Sequence, residues 1–188
     1  MNAHIDISTV TLNTDRLTLR PWRQEDLDDF YEYARVDGVG QMAGWLSHES
    51  KEKTQMILDN FINGKKTFAL ELDGKVIGSL GIETYNPEKY PDLELLQGRS
   101  IGYVLSKDYW DRGLMLEAVK AVEQYLFETV GLDFLLISHF VWNGQSRRVI
   151  QKCGFQYLQS DIHETRYGTK EPTLKYILRK EDWKNAHT

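Results

Sequence analysis

Residues 100–130 read SIGYVLSKDYWDRGLMLEAVKAVEQYLFETV. The apolar run 100–105 predicts a strand, and the stretch after Gly113 carries Met115, Ala118, Val119, Val122 and Leu126 on one face of a helix over 114–130. A glycine placed just before a helix lets backbone N–H groups approach an anion with no side chain in the way. The first N–H groups of a helix lack intrahelical partners, and the helix dipole favours negative charge there. Strand, Gly113 and helix therefore form a candidate pyrophosphate cradle, although the same arrangement also serves as a plain turn. It is neither a Walker loop nor a dinucleotide fingerprint, because G-K-[ST] and G-x-G-x-x-G are both absent.

A second unit of this kind follows. The near-continuous apolar run 134–141 reads as a buried central strand, and Trp142-Asn-Gly-Gln-Ser146 is a polar turn into a short helix over 146–152 that Gly154 stops. Asn143 or Ser146 is suited to capping that helix. If the two strands are neighbours, their turns lie side by side at the carboxyl ends of a sheet, where ligands bind.

Upstream, R-L-T-L-R over 16–20 predicts a strand ended by Pro21. Helices are expected over 24–36 and 50–63, the latter stopped at Gly64, with a glycine-rich break over 37–44 between them. Strands over 67–72 and 76–83 are joined through Asp73-Gly74, a hairpin signal because that turn needs positive φ. Residues 85–98 read as a surface loop with Pro87 and Pro91, and further strands lie near 155–158 and 173–178. The expectation is one α/β domain, of α+β type, with a mixed and mostly antiparallel sheet flanked by helices.

The 188 residues suffice for one core, and 41% apolar with 27% charged residues is a globular balance. A net charge of −5 argues against a nucleic-acid surface. Cys153, the one cysteine, is read as a buried core thiol, and five scattered histidines predict no metal site. No signal peptide or spanning segment is visible, so the expectation is a cytoplasmic protein without membrane partners.

Seven short pieces stand in a telling order: Thr14-Asp-Arg-Leu-Thr-Leu-Arg20, Gly74-Lys-Val-Ile-Gly78, Ile101-Gly-Tyr-Val-Leu105, Tyr109-Trp-Asp-Arg-Gly113 with Glu117-Ala118, Asn143-x-x-Ser146, Lys152-Cys-Gly-Phe155 and Leu178-Arg-Lys-Glu-Asp-Trp183. Together they resemble the GNAT superfamily of acyl-CoA N-acyltransferases, in particular its RimJ/RimL-like branch, over residues 10–183. The resemblance implies a GNAT-like domain in which two strands splay apart to hold acyl-CoA. It places the cofactor loop on Trp110, Asp111, Arg112, Gly113, Leu114 and Met115, with Trp110 and Met115 departing from the Q/R-x-x-G-x-G/A pattern. It places pantetheine and the thioester against Tyr103, Val104 and Leu105, with Asn143 and Ser146 completing the site. A backbone N–H on that strand would stabilise the oxyanion, an effect of about 3–4 kcal/mol per donor in other enzymes.

The family's tyrosine acid falls on Ile150, so the resemblance moves that role to Ser146, which otherwise acts only as a cap. Glu83 is the candidate base: it ends its strand on a face expected to hold Ile77, Ser79 and Gly81. A solvated strand-end carboxylate is the alternative, with Tyr85, Glu94 and a water chain as competitors. An α-amine with pKa ~7.7–8.0 suits a weak base better than a lysine near ~10.4. The expected reaction is acetyl transfer from acetyl-CoA, without a metal, to a primary amine: a protein N-terminal α-amine or a small-molecule amine. The alternative is a non-catalytic acyl-CoA-binding module. A homodimer is compatible with either.

Overall fold

The computed structural model describes residues 1–187. Its strands are β1 (Leu12–Asn13), β2 (Thr18–Pro21), β3 (Thr67–Leu72), β4 (Lys75–Glu83), β5 (Gly98–Leu105), β6 (Phe134–Phe140), β7 (Gln156–Glu164) and β8 (Lys170–Arg179). The helices are α1 (Leu27–Ala34), α2 (Lys51–Gly64), α3 (Leu114–Gln124), α4 (Gly144–Lys152) and α5 (Lys180–Ala186). One sheet runs in the order β1-β2-β3-β4-β5-β6-β8-β7, and every pairing is antiparallel except β5 with β6.

The expected amphipathic stripe builds the larger core. Ala118, Val119, Val122 and Leu126 are fully buried against Leu19, Phe68, Ile77, Leu80 and Leu135, with Ile150 of α4 and Trp183 of α5 on the same side. The opposite face carries α1 and α2, where Phe30, Ala34 and Leu58 meet Ala69, Val76 and Val104. The α3 helix ends in a π-helical turn over Tyr125–Val130, closed by Gly131 at φ +85°. The α2 helix runs through Gly64 and stops one residue later than expected, at Lys65 in the left-handed region (φ +52°). Ser50 caps its start by accepting from the Lys53 N–H at 3.2 Å.

Two expectations change. Gly98 already belongs to β5, and residues 85–97 form no strand but are more than surface loop: Tyr85, Tyr90 and Leu93 pack on Phe134, Leu136 and Ile177 as a third apolar cluster. The face assigned to Glu83 also differs. Between β3 and β4 the register shifts, with Leu70 opposite Gly78 and Glu71 opposite Val76, so Ile77 is the extra residue of a β-bulge. Ile77 therefore joins Leu80 and Ile82 in the larger core, leaving Gly81 and Glu83 on the opposite face.

The feature that positions the site is where β5 and β6 part. They pair in parallel only over Gly98–Phe134, Arg99–Leu135 and Ser100–Leu136. Beyond that point β5 stays on β4 as far as Leu105, and β6 stays on β8 as far as Phe140. Between the two strands the sheet opens into a wedge. No helix among the described residues is long and apolar enough to cross a membrane.

Candidate active site

The wedge is a cleft of about 360 Å³. Residues 101–105 of β5 form one wall, residues 137–140 of β6 another, and the loop 109–113 with the first turn of α3 and one side of α4 completes it. Along β5, the backbone groups that would pair with a neighbouring strand face this space. Buried N–H and C=O groups left unpaired cost about 1–3 kcal/mol each, so the edge favours a ligand with amide groups of its own.

At the far end of the wedge lies the start of α3. Gly113 is its N-cap with φ +75°, a conformation an L side chain adopts only under strain, and Asp111 also has positive φ (+58°). A Cβ built on Gly113 would meet nothing closer than Arg16 Nη2 at 3.6 Å, so backbone conformation and access require the glycine, not crowding by neighbours. The loop is tied down from both sides. The Trp110 indole N–H donates to the Leu105 carbonyl at 2.9 Å. The Arg16 guanidinium donates to the Arg112 carbonyl at 2.9 Å and pairs with Glu117 at 2.8 Å. Thr14 also donates to Glu117. Burial would raise the Glu117 carboxyl, but the bonds from Thr14 and Arg16 outweigh it and hold the group below its ordinary range. Thr14, Arg16 and Glu117 thus act as a clamp on the loop.

The second turn is built by Asn143. Its Oδ1 accepts from the Ser146 N–H at 3.0 Å, which caps α4, and its Nδ2 donates to the Met42 carbonyl at 3.3 Å. Asn143 is the cap and Ser146 is not. The Ser146 hydroxyl instead meets the Tyr103 hydroxyl at 2.9 Å. Ile150, one turn further along α4, is fully buried in the core. The tyrosine hydroxyl at this point of the cleft therefore comes from β5.

Tyr103, Val104, Leu105, Asn143, Ser146 and all six loop positions from Trp110 to Met115 line this one cleft. Glu83 does not. Its carboxylate is half exposed and ion-paired with Lys66, and its Cα faces Ser100 across the β4–β5 ladder. Ser100 lines a smaller cavity of about 200 Å³ on the face where Glu83 sits, and that cavity shares Ile137 and Ser138 with the main cleft. Among the described residues no group of three or more His, Cys, Asp or Glu side chains is placed to hold a metal ion.

Arg148 and Lys152 also line the cleft, and sequence reasoning passed over them. They stand four apart on α4, on one helix face, and that cationic spacing after the Asn143 turn was the available signal. Arg148 reaches Asp111 across the cleft mouth at 3.5 Å.

A family model described as "Acetyltransferase (GNAT) domain" matches residues 16–156. The chain belongs to the GNAT acetyltransferase family. This GNAT chain is 28% identical over 152 residues to the uncharacterized N-acetyltransferase YoaA of Bacillus subtilis (strain 168), covering 77% of this chain and 82% of that one. Its fold superposes on an acetyltransferase (GNAT family) from Bacillus anthracis with a TM-score of 0.79 at 20% identity, covering 92% and 99% of the two chains. It also superposes on the microcin C7 self-immunity acetyltransferase MccE, solved with acetyl-CoA and AMP, with a TM-score of 0.74 at 15% identity over 93% and 99% of the chains. As a GNAT N-acetyltransferase the protein is an acyl-transferring enzyme, and acetyl-CoA is the family's acetyl donor.

Proposed function

We propose that the β5–β6 wedge binds acetyl-CoA and that the enzyme acetylates a primary amine by direct attack, in the manner of the RimJ/RimL-like branch. The carrying observation is the unpaired edge of β5 at Tyr103, Val104 and Leu105, running from the strand junction to the Gly113 cradle. That edge suits the amides of pantetheine. The cradle, with its free helix N–H groups and with Arg112, Arg148 and Lys152 around it, suits the phosphates. The domain so defined spans residues 10–183.

The donor supplies an already activated acyl group, so the residues of this chain have three tasks. The β5 backbone N–H groups polarise the acyl oxygen. The wedge walls hold the acyl group near the Ser100–Leu136 junction, so that an amine meets it already oriented. Glu83, one strand away, accepts the ammonium proton through Ser100 and water, while Ser146 serves the departing sulfur. The acceptors assigned are an N-terminal α-amine of a protein or a small amine of similar basicity, because the base assigned, Glu83, is a carboxylate and suits an amine of low pKa.

A thiol-release assay with acetyl-CoA, run across small amines and N-terminal peptides, tests this. Amine-dependent release supports it. Tight CoA binding without amine-dependent release in any arm would leave an acyl-CoA-binding module instead.

A further inference from the structure

Tyr103 and Ser146 come from different elements, β5 and α4, and their hydroxyls meet at 2.9 Å on the wall of the cleft. Either hydroxyl can donate in this geometry, and the chemistry of the two groups favours one direction. Among the described residues Ser146 Oγ is the one hydrogen-bond partner of the Tyr103 hydroxyl. A phenol O–H is the stronger acid and so the better donor, and an alkyl hydroxyl oxygen is the better acceptor. With tyrosine taken as the donor, the serine's own proton is free to turn into the cleft. The serine has no competing duty, because Asn143 already satisfies its backbone N–H.

We propose, building on the acetyl-CoA reading above, that Tyr103 is a positioning residue that aims the Ser146 O–H at the leaving sulfur as a neutral hydrogen-bond donor. In the transfer, the amine nitrogen bonds to the acyl carbon and the C–S bond breaks. The sulfur keeps the bonding pair and leaves as a thiolate held by the Ser146 O–H. The surplus ammonium proton leaves through Glu83 or water, and the thiolate is protonated by solvent after release.

The alternative is a relay in which serine gives up its proton and refills from tyrosine. The groups around Tyr103 oppose it. Burial pushes the phenol well above its ordinary range. Cys153, just past the end of α4, lies near it, and that thiol is itself pushed up, first by burial and then by Glu123. Glu123 of α3 is pushed up to about 8 by burial, with Lys120 pulling the other way. Arg148 and Lys152 of α4 and His139 of β6 line the same cleft, but none of them hydrogen-bonds the phenol. A tyrosinate here would be a buried anion beside groups that themselves keep their protons. A thiol with an ordinary pKa near ~8.5 needs stabilisation of its anion more than a proton.

The test is the acidity of the CoA thiol in the binary complex, read from thiolate absorbance during a pH titration. It is paired with calorimetric CoA binding for wild type, Tyr103→Phe and Ser146→Ala. Wild type is expected to lower the thiol pKa by about one unit or more relative to free CoA. Ser146→Ala should abolish the shift and Tyr103→Phe should reduce it, with CoA affinity changed less than about threefold. With an accepted amine, each variant should lose about tenfold in kcat at unchanged KM for acetyl-CoA. The double variant should be no worse than Ser146→Ala, because the two hydroxyls act as one unit. An unshifted thiol in a tightly bound wild-type complex would overturn the proposal and leave the acetyl-CoA reading standing. So would an alkaline limb of kcat that disappears in Tyr103→Phe, since that limb belongs to a proton-losing acid. Absence of CoA binding by wild type would instead sink the acetyl-CoA reading, and this proposal with it.

Discussion

The Trp110 indole N–H donates to the backbone carbonyl of Leu105 at 2.9 Å, closing the loop between β5 and α3 onto the last residue of the strand. The strand edge and the Gly113 cradle thereby form one continuous surface. Trp110→Phe removes the donor while keeping an aromatic ring. Loss of such a bond costs about 0.5–1.5 kcal/mol. In a domain of this size that corresponds to a fall in Tm of roughly 2–4 °C. The larger expected effect is a KM for acetyl-CoA raised severalfold at nearly constant kcat, because the loop loses its registration with the strand. Steady-state kinetics beside a thermal melt separates the two.

Gly113 is held at φ +75°. Valine there combines left-handed strain, about 1–2 kcal/mol for an L residue, with a branched side chain over the cradle. Calorimetric titration of folded Gly113→Val should show CoA affinity reduced at least tenfold, and Gly113→Ala should fall between it and wild type. A valine variant that folds and binds CoA as wild type does would remove the cradle from the donor site.

Glu83 faces Ser100 and carries its ion pair with Lys66 away from the main cleft. If it takes the ammonium proton through Ser100, Glu83→Gln should lower kcat/KM at neutral pH by ~10²-fold, the usual size of a general-base effect. Activity should then recover as rising pH deprotonates the amine unaided. A pH–rate profile parallel to wild type would leave the carboxylate with a structural role only.

Glu123 is 1% exposed, and its Oε1 has no protein partner. Burial raises its pKa to about 8, against ~4.3 in an unfolded chain. Between these values the folded protein holds a proton that the unfolded chain has released. The stability contributed by the protonated carboxyl is thus complete below pH ~4.3, is lost as pH rises towards 8, and stays constant above it. Glu123→Gln keeps the neutral form at every pH. Urea unfolding from pH 5 to 9 should show the variant gaining on wild type up to about pH 8, by roughly 4 kcal/mol at most over that range, and then running parallel. A gap independent of pH would mean that the carboxyl does not titrate in this window.

Some of the architecture was legible because its signals are local. Asp73-Gly74 takes positive φ at both residues (+50° and +82°), as the dipeptide implies. The α3 stripe buries the face that its period marks. What escaped the sequence depends on partners. Strand β7 reads QYLQSDIHE and is the outer edge of the sheet with much of both faces exposed, so it lacks the apolar alternation that would have shown its full length. The bulge at Ile77 follows from β3 register, which no local pattern carries. Within the site, the backbone roles of Gly113 and the cap at Asn143 could be argued from position. The Tyr103 hydroxyl could not, because its meaning lies in a contact with a residue 43 positions away. Ile150 marked where a tyrosine was missing, but only the fold shows that Tyr103 of β5 brings its hydroxyl to Ser146.

The three-residue parallel junction between β5 and β6 has a mechanical consequence. It divides the sheet into two plates, β1 to β5 and β6 to β8, with the shortest seam in the interior at the point where the chemistry is assigned. A ligand lying in the gap becomes a temporary ninth strand, stitching the plates along an edge the chain leaves open. Hydrogen exchange at residues 101–105 and 137–140 should therefore slow together when CoA is added, and a pulling force applied between β3 and β8 should part the sheet at the β5–β6 seam first. If CoA fills the gap as proposed, the enzyme should be stiffest while loaded and most yielding just after release, so that product departure and the slackening of the sheet coincide.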